Sequence, residues 1–179
     1  MNPVLLSRSD EFGAGRAAYR LHRGLQEIGV DSNMLVQKKI SGDNNVIGIE
    51  GNLTRKLLKL PQDKQLVLFG ASSATSDRCK GFHLLQPALQ SLSQSGWHDK
   101  IELVVFASSR PSNPPDLGFN CRYLGRLGDD ISLALVYAAA DLFVAPSVQD
   151  NLPNTVVEAI ACGTPCVAFK IGAPIRNVP

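Results

Sequence analysis

The chain has 179 residues, 44% of them hydrophobic and 19% charged, with a formal net charge of +2. That length accommodates one or two small domains with a sizeable core, and so small a charge gives no footing for a nucleic-acid partner or a strongly anionic surface. No run approaches the roughly 18 apolar residues of a membrane span, and the apolar start is too short for a secretory leader, so a cytoplasmic protein is expected. Cys79, Cys121, Cys162 and Cys166 show no C-x-x-C pairing, and Cys162 and Cys166, flanking a Gly-x-Pro turn, read as small apolar residues in a reduced compartment.

Pro3 to Leu6 reads as a first strand, and Ser7 to Gly15 as a loop containing Gly13 and Gly15. Ala14 to Ile28 then predicts an amphipathic helix. Ala17, Ala18, Leu21, Leu25 and Ile28 are expected inward, and Arg16, Arg20, Arg23 and Gln26 outward. Gly29 stops it, and Met34-Leu35-Val36 begins a second strand. A Gly-Ala-Gly loop opening a helix can cradle a phosphate or sugar, but on the residues alone a tight turn accounts for it better. His22 reads as structural. Lys38 to Leu60 is turn-rich, with a brief strand at Val46 to Ile49 and a short helix at Thr54 to Leu60 that Pro61 cuts off. The expected division is residues 1–50 as a first βαβ layer, 51–64 as a linker and 65–179 as a second layer.

From Gln65 onward, strands and helices alternate. Gln65 to Phe69 is a strand, and 70–81 a loop of small residues ending in Arg78 and Lys80. Phe82 to Leu92 is a helix with Leu84, Leu85, Ala88, Leu89 and Leu92 inward and Pro87 as a penalty inside it. Ile101 to Ala107 is a buried strand, Ser108 to Phe119 a Pro-rich loop and Cys121 to Leu124 a short strand. Ile131 to Ala140 is a helix with Leu133, Leu135, Val136 and Ala139 inward. Leu142 to Ala145 is a strand closed by Pro146-Ser147. The next helix has Pro153 in its first turn, Val156, Val157, Ile160 and Ala161 toward a sheet, and Gly163 as terminator. Cys166 to Phe169 is the last strand. This succession predicts a doubly wound, mostly parallel α/β sheet of the Rossmann-like kind, with ligands at the carboxyl ends of its strands. On the residues alone, Asp150 reads equally well as a turn cap and Glu158 as a solvated helix residue, while Arg78 and Lys80 read as solvated cations.

The stretch from Asp141 to Phe169 resembles the donor-binding motif of retaining GT-B glycosyltransferases of family 4. Pro146-Ser147, Glu158-Ala159 and Gly163-Thr164-Pro165 match it in type and spacing. Asp150 stands where the motif has its first Glu, which keeps the charge and shortens the reach by one methylene. Lys80-Gly81-Phe82 with Leu84-Leu85 is similar to the family segment whose lysine contacts the donor diphosphate. The Tyr123 to Leu127 turn is similar to the segment lining the base pocket. The resemblance implies a retaining transfer of sugar from a nucleotide sugar to a glycan or lipid-linked acceptor, in cell-surface polysaccharide biosynthesis. Asp150 and Lys80 would be the catalytic pair. Arg78, Lys80, Asp150, Asn151, Leu152, Pro153, Asn154 and Glu158 would bind donor, with Glu158 on the ribose hydroxyls. Gly13 and Gly15 would lie in the acceptor-side loop. No metal or other cofactor is expected, since cations and a helix N-terminus can meet the diphosphate charge.

By that resemblance the chain is an abbreviated GT-B enzyme. A complete N-terminal domain exceeds residues 1–50, and the family continues beyond Ala173-Pro174. The alternative is a catalytically inactive nucleotide-binding fragment or assembly module. Peripheral attachment at the inner membrane face and homo-oligomerisation are both open. A dinucleotide dehydrogenase is disfavoured, because the first loop lacks Gly-x-Gly-x-x-Gly. A serine hydrolase is disfavoured too, because Ser147 lacks the glycines of a nucleophile elbow.

Overall fold

The computed structural model describes residues 3–11, 14–48, 51–70, 77–149 and 153–170. Strand β1 (Val4–Ser9), helix α1 (Ala14–Glu27), β2 (Asn33–Lys38) and β3 (Val46–Gly48) form a parallel sheet in the order β1-β2-β3. After α2 (Gly51–Leu57), a second parallel sheet is built from β4 (Gln65–Gly70), β5 (Ile101–Phe106), β6 (Cys121–Gly125), β7 (Leu142–Ala145) and β8 (Cys166–Ala168), in the order β6-β5-β4-β7-β8. Its helices are α3 (Phe82–Leu92), α4 (Asp130–Ala139) and α5 (Asn154–Ala161).

The alternating direction of strand side chains sorts the second sheet into two faces. Leu66, Leu68, Val104, Phe106 and Phe143 pack with Ala134, Val136 and Tyr137 of α4 and Ala159 of α5. Val67, Phe69, Leu103 and Val105 pack with Leu85 and Leu89 of α3 and with Leu117 and Phe119. This is the expected doubly wound arrangement. The smaller sheet joins it through one of its two faces. Met34, Val36 and Val46 lie against Ala18 and Tyr19 of α1, whereas Leu35 and Val4 belong to the cluster around α4 and α5.

Segment 51–64 is a docked element. Arg55 on α2 is buried and donates from Nε to Ala139 O (2.8 Å), from one terminal nitrogen to Lys64 O (3.3 Å) and from the other to Asp141 Oδ2 (2.6 Å). The same Asp141 oxygen accepts the Leu66 amide at 2.7 Å. One guanidinium thus ties α2 to the end of α4 and the start of β4.

Several expected inward faces are rotated. On α1, Leu21 is 58% exposed and Ala17 is also exposed, as is Ile28 just past its end at 74%, while His22 is fully buried. Polar anchoring sets the helix's rotation: His22 Nδ1 is 2.7 Å from Ser32 Oγ, and Tyr19 OH donates to Asp43 at 3.3 Å. In α3, Leu85 and Leu89 are buried but Leu84 and Ala88 are exposed, and Pro87 stays inside the helix on its solvent side, where the unpaired carbonyl can reach water. In α5, Val157 and Ile160 are exposed, and Ala159 and Cys162 form the contact because the helix lies close to Tyr137. Pro153 is the residue just before the first turn of α5 and not within it, with φ −65° and ψ 120°. Gly163 ends the helix as expected: φ is +81°, its amide bonds Ile160 O, and the Thr164 amide bonds Ala159 O.

Candidate functional site

The chain runs from β4 outward through β5 to β6, then returns to the other side of β4 with β7 and β8. The strand order therefore reverses at β4, and the crevice beyond the carboxyl ends of β4 and β7 is where such sheets bind ligands. A cavity of about 140 Å³ lies there, lined by Gly70, Lys80, Phe106, Ala107, Pro146, Ser147, Pro153 and Thr155 among others.

Local chain geometry presents Lys80 to it. Asp77 accepts the Cys79 amide at 2.9 Å and caps a 3₁₀ turn over Arg78–Lys80, which Gly81 closes at φ +69°. The Val148 amide donates to Cys79 O at 2.9 Å, joining this turn to the loop after β7. Arg78 is exposed and not among the cavity-lining residues. Of the other lining residues, Pro153 and Thr155 belong to the start of α5, where helix amides point outward without intrahelical acceptors. Asn154, the first helical residue, is exposed. Asp150, Asn151 and Leu152 lie outside the described residues, as does Gly13.

Glu158 sits one turn further along α5, in a different cavity. It accepts a hydrogen bond from Tyr137 OH at 3.1 Å. Together these two line a space of about 240 Å³ with Val4, Asp130, Leu133 and Ala134. Burial pushes the Tyr137 phenol pKa up, and the Glu158 carboxylate adds to the shift, so Tyr137 remains a donor. Burial, with Glu158 again adding, pushes the Cys162 thiol up to about 12. All four cysteines are free, and Cys162 is a packing residue as expected.

Gly15 is explained by close approach. A Cβ there would lie 1.9 Å from Ser9 O, so the tight-turn reading of this glycine accounts for it without a ligand. Nearby, Asp10 is buried and accepts the amides of Ile40 and Ser41, both at 2.9 Å, and the Ser41 hydroxyl. Three site residues escaped the sequence reading. Tyr137 carried a signal, since a phenol in an otherwise apolar helix needs a polar partner. Thr155 carried only its position in the motif. Ala107 carried none: it adopts φ +62°, a conformation an alanine does not announce, after a register shift between Val105 and Phe106. Among the described residues, no group of three or more His, Cys, Asp or Glu could hold a metal ion.

Residues 63–178 match the family described as glycosyl transferases group 1. The chain belongs to that family. Its curated relatives include the D-inositol 3-phosphate glycosyltransferase of Xylanimonas cellulosilytica, 33% identical over 134 residues that cover 69% of this chain and 30% of the relative. The enzyme of the same name from Segniliparus rotundus is 52% identical over 40 residues, 22% of this chain and 9% of that protein. The chain thus spans less than a third of the length of these curated relatives. Two solved GT-B structures share its fold. Sucrose-phosphate synthase from Thermosynechococcus elongatus has a TM-score of 0.52 and 22% identity, covering 94% of this chain and 40% of that one. WaaG, a glycosyltransferase involved in lipopolysaccharide biosynthesis, has a TM-score of 0.54 and 18% identity, covering 91% and 51%. This glycosyltransferase-family chain therefore carries the α/β GT-B architecture expected of it.

Proposed function

We propose that this chain binds a nucleotide sugar in the crevice between β4 and β7 and transfers the sugar, with retention, to a glycan or lipid-linked acceptor in cell-surface polysaccharide biosynthesis. The observation that carries this reading is the convergence of Lys80, Pro146-Ser147 and the start of α5 on one cavity at the strand-order reversal. An ammonium and a helix N-terminus lining one cavity suit a diphosphate. In the proposed reaction, the bond from the anomeric carbon to the phosphate oxygen breaks and its electron pair leaves with the nucleoside diphosphate. Lys80 and the α5 amides stabilise that departing charge, and Arg78, outside the cavity lining, would add to it only from the rim. The acceptor oxygen bonds the anomeric carbon from the same face and passes its proton to a phosphate oxygen. Asp150 and the backbone of residues 151–154 would contact the transferred sugar and phosphate, and Glu158 the ribose hydroxyls. The Gly13–Gly15 loop would face the acceptor.

Calorimetric titration with uridine, guanosine and adenosine diphosphates tests the reading, followed by turnover with the matching nucleotide sugars. Binding that Lys80→Ala and Glu158→Ala each weaken roughly tenfold or more supports it. Absence of binding to every diphosphate overturns it. Glu158 lines a cavity separate from that of Lys80, with Val4 of the first sheet on its wall, so the ribose contact requires the nucleotide to span both; the second reading is nucleotide binding without turnover. Saturable diphosphate binding with no sugar released or transferred would establish that reading instead.

Peripheral seating on an anionic membrane face is supported by the outer side of α1. There the exposed Ala17, Leu21 and Ile28 run beside the exposed Arg16, Arg20 and Arg23. Co-sedimentation with anionic but not neutral vesicles is the expected result; equal recovery with both removes this part of the proposal. Among the described residues, no helix is long and apolar enough to cross a membrane. Pairing with a second copy would use the sheet edges at β6 and β8, beyond which no further strand pairs among the described residues, and a monomer in sedimentation velocity would exclude it.

A further inference from the structure

We infer that Gly81 is a positioning residue for Lys80, and that the turn carrying Lys80 and the loop after β7 work as one interlocked unit. The inference rests on the donor reading above and assigns to it a residue that makes no ligand contact of its own. Four observations carry it. Gly81 is buried, and a Cβ built on it would lie 1.7 Å from Pro146 O and 2.6 Å from the Pro146 carbonyl carbon, so no side chain fits without moving backbone. Its φ of +69° lies in the left-handed region, so a substitution is strained even where space allows. The Val148 amide donates to Cys79 O at 2.9 Å, a backbone bond between the same two loops on the other side of Lys80. Lys80 and Pro146 line one cavity.

The close approach at Gly81 therefore sets how near the Lys80 turn can come to Pro146-Ser147. Adding a Cβ must push the two loops apart by an ångström or more, the distance by which 1.7 Å falls short of ordinary contact. A charge-assisted contact to phosphate does not survive such a shift at full strength, because its strength depends on heavy-atom separations near 2.8 Å. The binding of the nucleoside portion depends on other residues and is not affected in the same way.

The test compares Kd for a nucleoside diphosphate with Kd for the corresponding nucleoside, in the unaltered chain and in Gly81→Ala, Val148→Pro, Lys80→Met and the Gly81→Ala/Lys80→Met pair. Val148→Pro removes the amide that bonds Cys79 O and leaves both Gly81 and Lys80 in place, so it serves if Gly81→Ala fails to fold. The expected result is a roughly tenfold or larger loss of preference for the diphosphate in either variant, with nucleoside affinity unchanged. In the Lys80→Met background, Gly81→Ala should cause no further loss. Retained preference in Gly81→Ala and Val148→Pro overturns the inference while leaving the donor reading intact. An additive loss in the Lys80→Met background overturns it too, since the glycine would then act through something other than Lys80. If the unaltered chain shows no preference for the diphosphate, the donor reading fails and takes this inference with it.

Discussion

Replacing Arg55 with alanine should destabilise the protein by about 3 kcal/mol. The side chain makes three hydrogen bonds, two to the backbone carbonyls of Ala139 and Lys64 and one to the carboxylate of Asp141. A neutral bond contributes about 1 kcal/mol net, and one between charged groups about 1.5–3 kcal/mol. Breaking a fully buried ion pair costs about 3–5 kcal/mol. Here the arginine side chain is 10% exposed and the aspartate 35%. Water can therefore resolvate part of the abandoned carboxylate, which places the loss at the low end of that range. With a urea m-value of about 2 kcal/mol/M, the midpoint should fall by about 1.5 M at unchanged slope. Asp141→Asn keeps an oxygen for the Leu66 amide and should cost less. The double variant should fall well short of the sum of the singles, because they share one network. The decisive measurement is urea unfolding followed by circular dichroism, together with exchange of the Leu66 amide, whose acceptor is Asp141. A midpoint shift below about 0.3 M for Arg55→Ala would refute the idea that this guanidinium fastens α2 to the second sheet.

Two further outcomes follow from buried polar groups. Burial raises the pKa of Asp10, but the Ser41 hydroxyl and the amides of Ser41 and Ile40 outweigh it, so the carboxyl sits below its ordinary range. A lowered folded pKa contributes stability above the unfolded value of 3.8, and this is lost as pH falls through the folded value. Thermal unfolding between pH 6 and pH 2 should therefore show a steeper acid decline for the unaltered chain than for Asp10→Asn; parallel declines would remove Asp10 from the account. Tyr137→Phe removes the bond to Glu158 and should cost about 1 kcal/mol. The opposite sign applies to this phenol. Its raised pKa stabilises the folded state below the unfolded value of 10, and that contribution is lost as pH rises beyond it. Ultraviolet titration should find a tyrosine that ionises above the ordinary range, and the Phe variant should lack it.

The second sheet was legible in the sequence because its strands are continuous apolar runs separated by amphipathic helices. Runs such as Gln65 to Phe69 and Ile101 to Ala107 came within a residue of the observed bounds. The helix faces were less legible. Apolar periodicity pointed Leu21 and Ile28 inward, yet the hydrogen bond between His22 and Ser32, ten residues apart, turns α1 the other way. A buried polar pair of that kind leaves no mark on a hydropathy pattern. Arg55 was hidden for the same reason: its partners at Ala139 and Asp141 are more than eighty residues away, and only the fold brings them together. At the site, the residues quoted from the motif supplied Lys80, Pro146 and Pro153. What the sequence did not reveal was how they are held, because the fit of Gly81 against Pro146 depends on a close approach between two loops.

The reversal of strand order at β4 also favours an order of assembly. Val67 pairs with Leu103 on one side and with Leu142 on the other. Closing the shorter loop costs less chain entropy, so β4, β5 and β6 can pair as their intervening segments are completed. β7 must then travel back past all three to reach the open side of β4. The crevice between β4 and β7 exists only after that return. A chain halted before it would already hold a packed three-stranded layer and its α3 helix. It would carry Lys80 on a finished turn with nothing opposite, so ligand binding by this protein reports on completion of the fold as well as on the site.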